Sequence, residues 1–175
     1  MSHLAVSVLG ADRPGMVAAV TEVLTTQGCN LEDSSMTILG GHFAMMLVVE
    51  AGDLGAEVLE ARLGPVAASM QLVVSARPIA DLPKESRGDQ ALWTVAVYGA
   101  DRPGIVSEVA GLLASYQANI VDLSTRVIGT AHEPVYAMVM EIAIDDVGAL
   151  EPALNQLAEA LGVSCSLYPA DADIL

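Results

Sequence analysis

The sequence predicts an α+β protein of two tandem ferredoxin-like βαββαβ units, each an antiparallel sheet with helices on one face. Three observations carry that expectation. The phrase GADRPG stands at Gly10–Gly15 and again at Gly99–Gly104. The likeness between the two regions extends over nearly the whole chain. In both regions the hydrophobic period changes in the same order, from strand-like to helical and back.

Laying Gly99 over Gly10 sets an offset of 89 residues, and GADRPGMVAAV then matches GADRPGIVSEV at eight of eleven positions. GCNLEDSS (Gly28–Ser35) falls over QANIVDLS (Gln117–Ser124), which pairs Asn30 with Asn119 and Asp33 with Asp122. An insertion of four residues near TAHEP (Thr130–Pro134) shifts the register, after which Phe43 lies over Tyr136. Further on Leu59 meets Leu150 and Pro78 meets Pro169. A likeness of this reach is a duplicated domain. The organisation reads as domain 1–78, a linker over 79–91 (IADLPKESRGDQA) and domain 92–175. The linker is rich in charge, Pro and Gly and has no sustained period.

Each element follows from local chemistry. HLAVSVLG is a short β-rich run ended by glycine. From Pro14, apolar residues recur at Val17, Val20, Val23 and Leu24, one face of a helix. Pro14 suits a first helical turn and Asp12 suits its cap. Gly28 is placed to stop that helix. NLEDSSMTILGGHFAMMLVVE gives two strands joined at Gly40-Gly41, a hairpin signal. GAEVLEARLGPVAASM is a second helical segment that Gly64-Pro65 is expected to kink or shorten. QLVVSAR closes the unit as a strand. The second copy repeats the order: a helix through Val106, Val109, Leu112 and Leu113, a longer hairpin, a helix near Leu150–Leu161 and the strand VSCSLYP. Copies this small leave sheet edges that invite pairing with a sister unit.

Composition narrows the function classes. Hydrophobic residues make up 53% of the chain but aromatics only 3%, so the core rests on Val, Leu, Ile, Met and Ala. Seven Lys and Arg against 22 Asp and Glu give a formal net charge of −15. With no basic stripe to offset it, such a surface repels phosphate, and binding to nucleic acid or to anionic lipid is not expected. The longest apolar run, Phe43–Val49, is far short of the roughly 20 residues of a membrane span. The N-terminal MSHLAVSVLG has no basic residue ahead of its apolar run and does not read as a signal peptide. A cytoplasmic protein is the expectation. Cys29 and Cys165 align with Ala118 and Val74, small apolar slots, and read as buried free thiols.

The repeated loop offers a ligand chemistry. A strand ends at Gly10, the chain turns, and a helix begins near Pro14, so free N–H groups and a positive dipole end face the turn. A small carboxylate suits that place. Gly15 leaves the backbone open to approach, Asp12 can meet an ammonium, and the Asn30 amide offers both donor and acceptor. Asp-Arg-Pro-Gly is also a serviceable strand-to-helix turn without any ligand. Asp33 and Asp122 read as solvated, Glu50, Glu60 and Glu151 as ordinary surface charge, and Arg13 and Arg102 as exposed, with a carboxylate clamp as the lesser alternative. Catalytic signals are sparse. His3, His42 and His132 are scattered, no metal-ligand spacing is present, and neither cysteine has the neighbourhood of a nucleophile. No enzyme activity, cofactor or metal is expected.

GADRPGMV…GCNLEDS and GADRPGIV…ANIVDLS, each within a βαββαβ pattern, resemble the ACT domain, a small amino-acid-sensing module. Two such domains filling a chain resemble the glycine cleavage system transcriptional repressor family. The resemblance implies pairing of ACT modules, here as a homodimer, with an amino acid bound at the interface. The contacts it implies are Gly10, Ala11, Asp12, Arg13, Pro14, Gly15 and Asn30 in the first copy. In the second they are Gly99, Ala100, Asp101, Arg102, Pro103, Gly104 and Asn119. It further implies a regulator that holds a DNA-binding activator in response to glycine without touching DNA itself. Two other readings remain: an interaction module without a ligand, and a regulatory subunit of an enzyme of amino-acid metabolism.

Overall fold

The computed structural model describes residues 2–79, 91–130 and 133–170. The chain divides into two compact units, and each carries the expected βαββαβ order. The first contains β1 (His3–Ala11), α1 (Met16–Thr26), β2 (Asn30–Leu39), β3 (His42–Glu50), α2 (Ala56–Met70) and β4 (Val73–Ile79). The second contains β5 (Leu92–Gly99), α3 (Ile105–Ser115), β6 (Asn119–Thr130), β7 (Glu133–Ala143), α4 (Leu150–Leu161) and β8 (Val163–Pro169). The strand orders are β2-β3-β1-β4 and β6-β7-β5-β8, with every neighbouring pair antiparallel. Ile79, placed in the linker by sequence, ends β4, and the rest of that segment up to Gln90 lies outside the described residues.

Alternation along the strands builds one core per unit. Leu4, Val6 and Val8 of β1 and Phe43, Met45, Leu47 and Val49 of β3 face the helices and are buried. Met16, Val20 and Leu24 of α1 and Leu59 and Leu63 of α2 close over them. In the second unit Val95, Val97, Met138, Met140 and Ile142 meet Ile105, Val109, Leu113, Leu150 and Leu154. The buried stripe of α1 is therefore narrower than the apolar pattern, and Val17 is exposed. Val17 lines an open groove beside the strand-to-helix loop.

The turn residues act largely as their chemistry dictates. Gly40 and Gly41 both take positive φ, 58° and 78°, as a two-residue hairpin turn requires. Gly28, at φ 74°, ends α1: its N–H donates to the Thr25 carbonyl and that of Cys29 to the Leu24 carbonyl, the paired bonds of a Schellman motif. Two elements refine the expectations. α2 is not shortened at Pro65 but runs on to Met70, because the proline costs one hydrogen bond in a helix held by a buried face. Glu60 is more than surface charge, since its Oε1 accepts the Ala76 N–H at 2.6 Å and occupies the outer edge of β4.

The opposite edge is bare. All ten residues of β2 are exposed. Leu31, Met36 and Ile38 pair with Val49, Met45 and Phe43, so they stand on the helix side of the sheet, yet they are about half exposed. β6 repeats the arrangement, with Leu123 and Val127 exposed opposite Met140 and Tyr136. Both edge strands also carry a bulge shortly after their first residue, at Leu31/Asp33 and Ile120/Asp122. Bulges of this kind twist an edge strand and re-aim its side chains.

Candidate ligand site

The GADRPG loop turns the chain from the end of β1 into α1. The Asp12 N–H donates to the Gly41 carbonyl at 3.0 Å, which ties the loop to the β2–β3 hairpin. The helix begins at Met16, later than sequence reading places it. Pro14 precedes the helix, and Gly15 is the N-cap at φ 90°, ψ −4°. A proline followed by a glycine in that conformation is the pattern of a type II turn, which delays the helix by two residues. Asp12 therefore does not cap it. The second copy behaves identically, with Gly104 as N-cap at φ 101°, ψ −19°.

This arrangement leaves the helix starts open. The Gly15 and Gly104 carbonyls accept the first intrahelical bonds, from Ala19 and Glu108. The three N–H groups between the cap and that first donor have no partner within the helix, and no side chain caps either start. They carry the positive end of the helix dipole, which favours an anion. In the first unit an open groove of about 450 Å³ adjoins this start, lined by Asp12, Arg13, Gly15, Met16, Met36 and Phe43 among others. Its walls offer one carboxylate, one guanidinium and an apolar floor.

The remaining loop residues have structural work. A Cβ at Gly10 would fall 2.6 Å from a Leu72 methyl, and one at Gly99 the same distance from Val163, so the strand ends pack too closely for side chains. Ala11 and Ala100 are exposed beside them. Pro103 repeats the Pro14 turn, and Asp101 is exposed like Asp12. The two arginines are exposed but engaged. Arg13 Nη2 donates to Gln71 Oε1 at 2.6 Å, and Arg102 Nη2 donates to the Leu161 carbonyl at 2.6 Å.

The two asparagines are not brought to their own loops. Asn30 pairs with Glu50, whereas Gly10 pairs with Phe43, seven ladder steps away on the same strand. At about 3.3 Å per residue that is roughly 23 Å. Asn119, opposite Ala143, is as far from Gly99, opposite Tyr136. One unit alone therefore cannot close loop and asparagine around a single small ligand.

Other candidates take modest roles. Asp33 and Asp122 are exposed, and Asp33 Oδ1 accepts the Ser34 N–H. His3 Nε2 lies 3.2 Å from a Glu32 carboxylate oxygen, a contact that no sequence pattern announces. His42 is exposed in the hairpin, and His132 lies outside the described residues. Cys29 and Cys165 are half-buried free thiols packed against the two cores. Burial pushes both thiol pKa values up, offset in part at Cys165 by a hydrogen bond from the Ser166 backbone. Among the described residues no group of His, Cys, Asp or Glu could hold a metal ion, and no helix is long and apolar enough to cross a membrane.

Comparison with known proteins fits this geometry. The ACT domain model matches residues 2–76 and 93–168. The chain is 27% identical to the glycine cleavage system transcriptional repressor of Escherichia coli K12, over 94% of this chain and 88% of the repressor. The crystal structure of an unknown protein from Galdieria sulphuraria superposes with a TM-score of 0.79 at 29% identity, covering 97% of this chain and 98% of that one. A second crystal structure, of a protein provisionally assigned as a glycine cleavage system transcriptional repressor, shares the fold with a TM-score of 0.68 at 21% identity, over 95% of each chain. The chain belongs to the ACT-domain family, carries the domain twice, and is a regulatory protein related to the glycine cleavage system repressor.

Proposed function

We infer that the protein is a non-catalytic sensor of a small amino acid, glycine-like in size, that controls a partner protein by direct contact. The observation that carries this reading is the pair of uncapped helix starts at Gly15 and Gly104, repeated in both units. The ligand carboxylate would sit on those N–H groups. Asp12 or Asp101 would face its ammonium, and Met36 and Phe43 leave little more than an apolar floor for its side chain in the first unit.

Assembly supplies the asparagine. β2 and β6 are exposed edges with apolar side chains, while Glu60 occupies one N–H, that of Ala76, on the far edge of the first sheet. Two bare edges paired antiparallel place the first residue of one strand beside the hairpin end of the other. In a homodimer that arrangement would bring Asn30 or Asn119 of one subunit to the matching loop of its partner, which the separation within each unit otherwise prevents. A homodimer built through these edges is the assembly we favour. Binding would then stabilise the pairing and alter the surface shown to the partner. The −15 charge suits a basic partner, such as a DNA-binding activator in the cytoplasm, and disfavours DNA itself.

Thermal unfolding against a panel of amino acids, glycine and serine first, tests the reading. A ligand at about 100 times its dissociation constant adds roughly 2.7 kcal/mol to the state that binds it. The expected result is a selective rise in melting temperature that Asp12→Ala or Asn30→Ala reduces. No rise with any amino acid would overturn the sensor reading and favour a ligand-free interaction module.

A further inference from the structure

Each loop arginine reaches the same place by a different chemistry. Arg13 donates to a side-chain oxygen, Oε1 of Gln71, just beyond the end of α2. Arg102 donates to a main-chain oxygen, the carbonyl of Leu161 at the end of α4. The residue that turns the chain after the helix differs too. Gln71 holds a left-handed φ of 56°, a conformation that is costly for a residue with a Cβ. At the matching position Gly162 has φ 63°, and a Cβ there would fall 2.8 Å from Arg102 Nη2. In one unit the glutamine side chain accepts the arginine. In the other its absence makes room for the guanidinium to lie on the backbone. The tie is duplicated although its acceptor is not.

We propose that Arg13 and Arg102 are positioning residues that tie the strand-to-helix loop to the end of the second helix of the same unit, and are not clamps for the ligand's carboxylate. The loop needs such a tie on its helix side. The Asp12 N–H bond to the Gly41 carbonyl holds its start, whereas Gly15 at φ 90° has no side chain to hold its end. The long, planar guanidinium spans the gap and donates a charge-assisted bond. A loop fixed in advance aims the N–H groups of the helix start and leaves less entropy to lose on binding. This assignment rests on the sensor reading for its ligand measurement, and on geometry alone for the loop itself.

The test uses full-length wild type, Arg13→Met, Gln71→Ala and the double variant. Gln71→Ala keeps an L-residue in the left-handed turn, so it removes the acceptor without changing the backbone requirement. Amide hydrogen exchange at Asp12, Arg13, Gly15 and Met16 reads the loop, and calorimetric titration with glycine and with serine reads the site. Each single substitution is expected to speed exchange in the loop and to weaken binding about three- to tenfold. The double variant should do no more than either single, because both remove one contact. Exchange and affinity unchanged in Gln71→Ala, with binding lost in Arg13→Met, would overturn the proposal and make Arg13 a ligand contact. Wild-type exchange rates in both single variants would overturn it as well. If neither amino acid binds wild type, the sensor reading fails, while exchange still decides whether the tie exists.

Discussion

In the first unit the left-handed turn after α1 is made by Gly28 and the one after α2 by Gln71; in the second unit Gln117 and Gly162 make the same turns. The backbone is preserved and the residues are exchanged. At Gln117 the same two bonds close the helix as at Gly28: its N–H donates to the Ala114 carbonyl and that of Ala118 to the Leu113 carbonyl. So a helix stop is set by hydrogen bonding and packing, and glycine lowers its cost without being required. At Gln71 the non-glycine choice has a visible return, the acceptor for Arg13. At Gln117 none is visible.

The units also differ where nothing forces them to agree. His3 Nε2 lies 3.2 Å from a Glu32 carboxylate oxygen in the first, and the matching positions in the second are Leu92 and Val121. Phe43 is 2% exposed and anchors the first core, while Tyr136 at the same place is only half-buried. The two strand-to-helix loops are thus built on one backbone plan with different flanks.

That contrast can be broken most strongly in the cores. Phe43→Ala is expected to cost about 3–5 kcal/mol in urea unfolding, and Tyr136→Ala distinctly less. Equal losses would show that the two positions carry equal packing. Gly15→Ala and Gly104→Ala each force a Cβ into a left-handed conformation and should cost about 1–2 kcal/mol by the same measurement. The exchange of turn residues gives a sharper contrast. Gln117→Gly should gain up to about 1 kcal/mol, and Gln71→Gly should gain less because Arg13 loses its acceptor. A larger gain at Gln71 would contradict the tie.

The smallest expected effect is a pH dependence. The thiol pKa values of Cys29 and Cys165 are raised by burial above the ordinary 9.0. The folded state therefore holds these protons more tightly than the unfolded state. Their contribution is intact below about pH 9 and is lost as pH rises through the folded-state values. Cys165→Ala should flatten the fall in melting temperature above about pH 9, which a melt series checks.

Much of this was legible in the sequence for identifiable reasons. The hairpin at Gly40-Gly41 and the helix stop at Gly28 depend on residues within a few positions of the turn. The repeat itself defined the units, since two copies of one pattern locate each other. The helix start at Met16 was misplaced although its signal was present: Pro-Gly specifies a turn of its own before a helix can begin. Asn30 went to the far end of the sheet because β1 and β2 both run antiparallel to β3, which places their first residues at the same end. Glu60 and Arg13 are different. Their partners, Ala76 and Gln71, are 16 and 58 residues away, and no local pattern announces such bonds.

The central claim is that a small amino acid binds at the uncapped helix starts, and a glycine titration followed by 15N–1H NMR tests it most directly. The account predicts that the backbone N–H signals of Gly15, Met16 and Val17, and of Gly104, Ile105 and Val106, move first and saturate together. Asn30 or Asn119 should follow as the paired edge closes on the site. Signals that stay fixed at both helix starts through saturating glycine, serine and alanine, or that move only on the open face of a sheet, would contradict it.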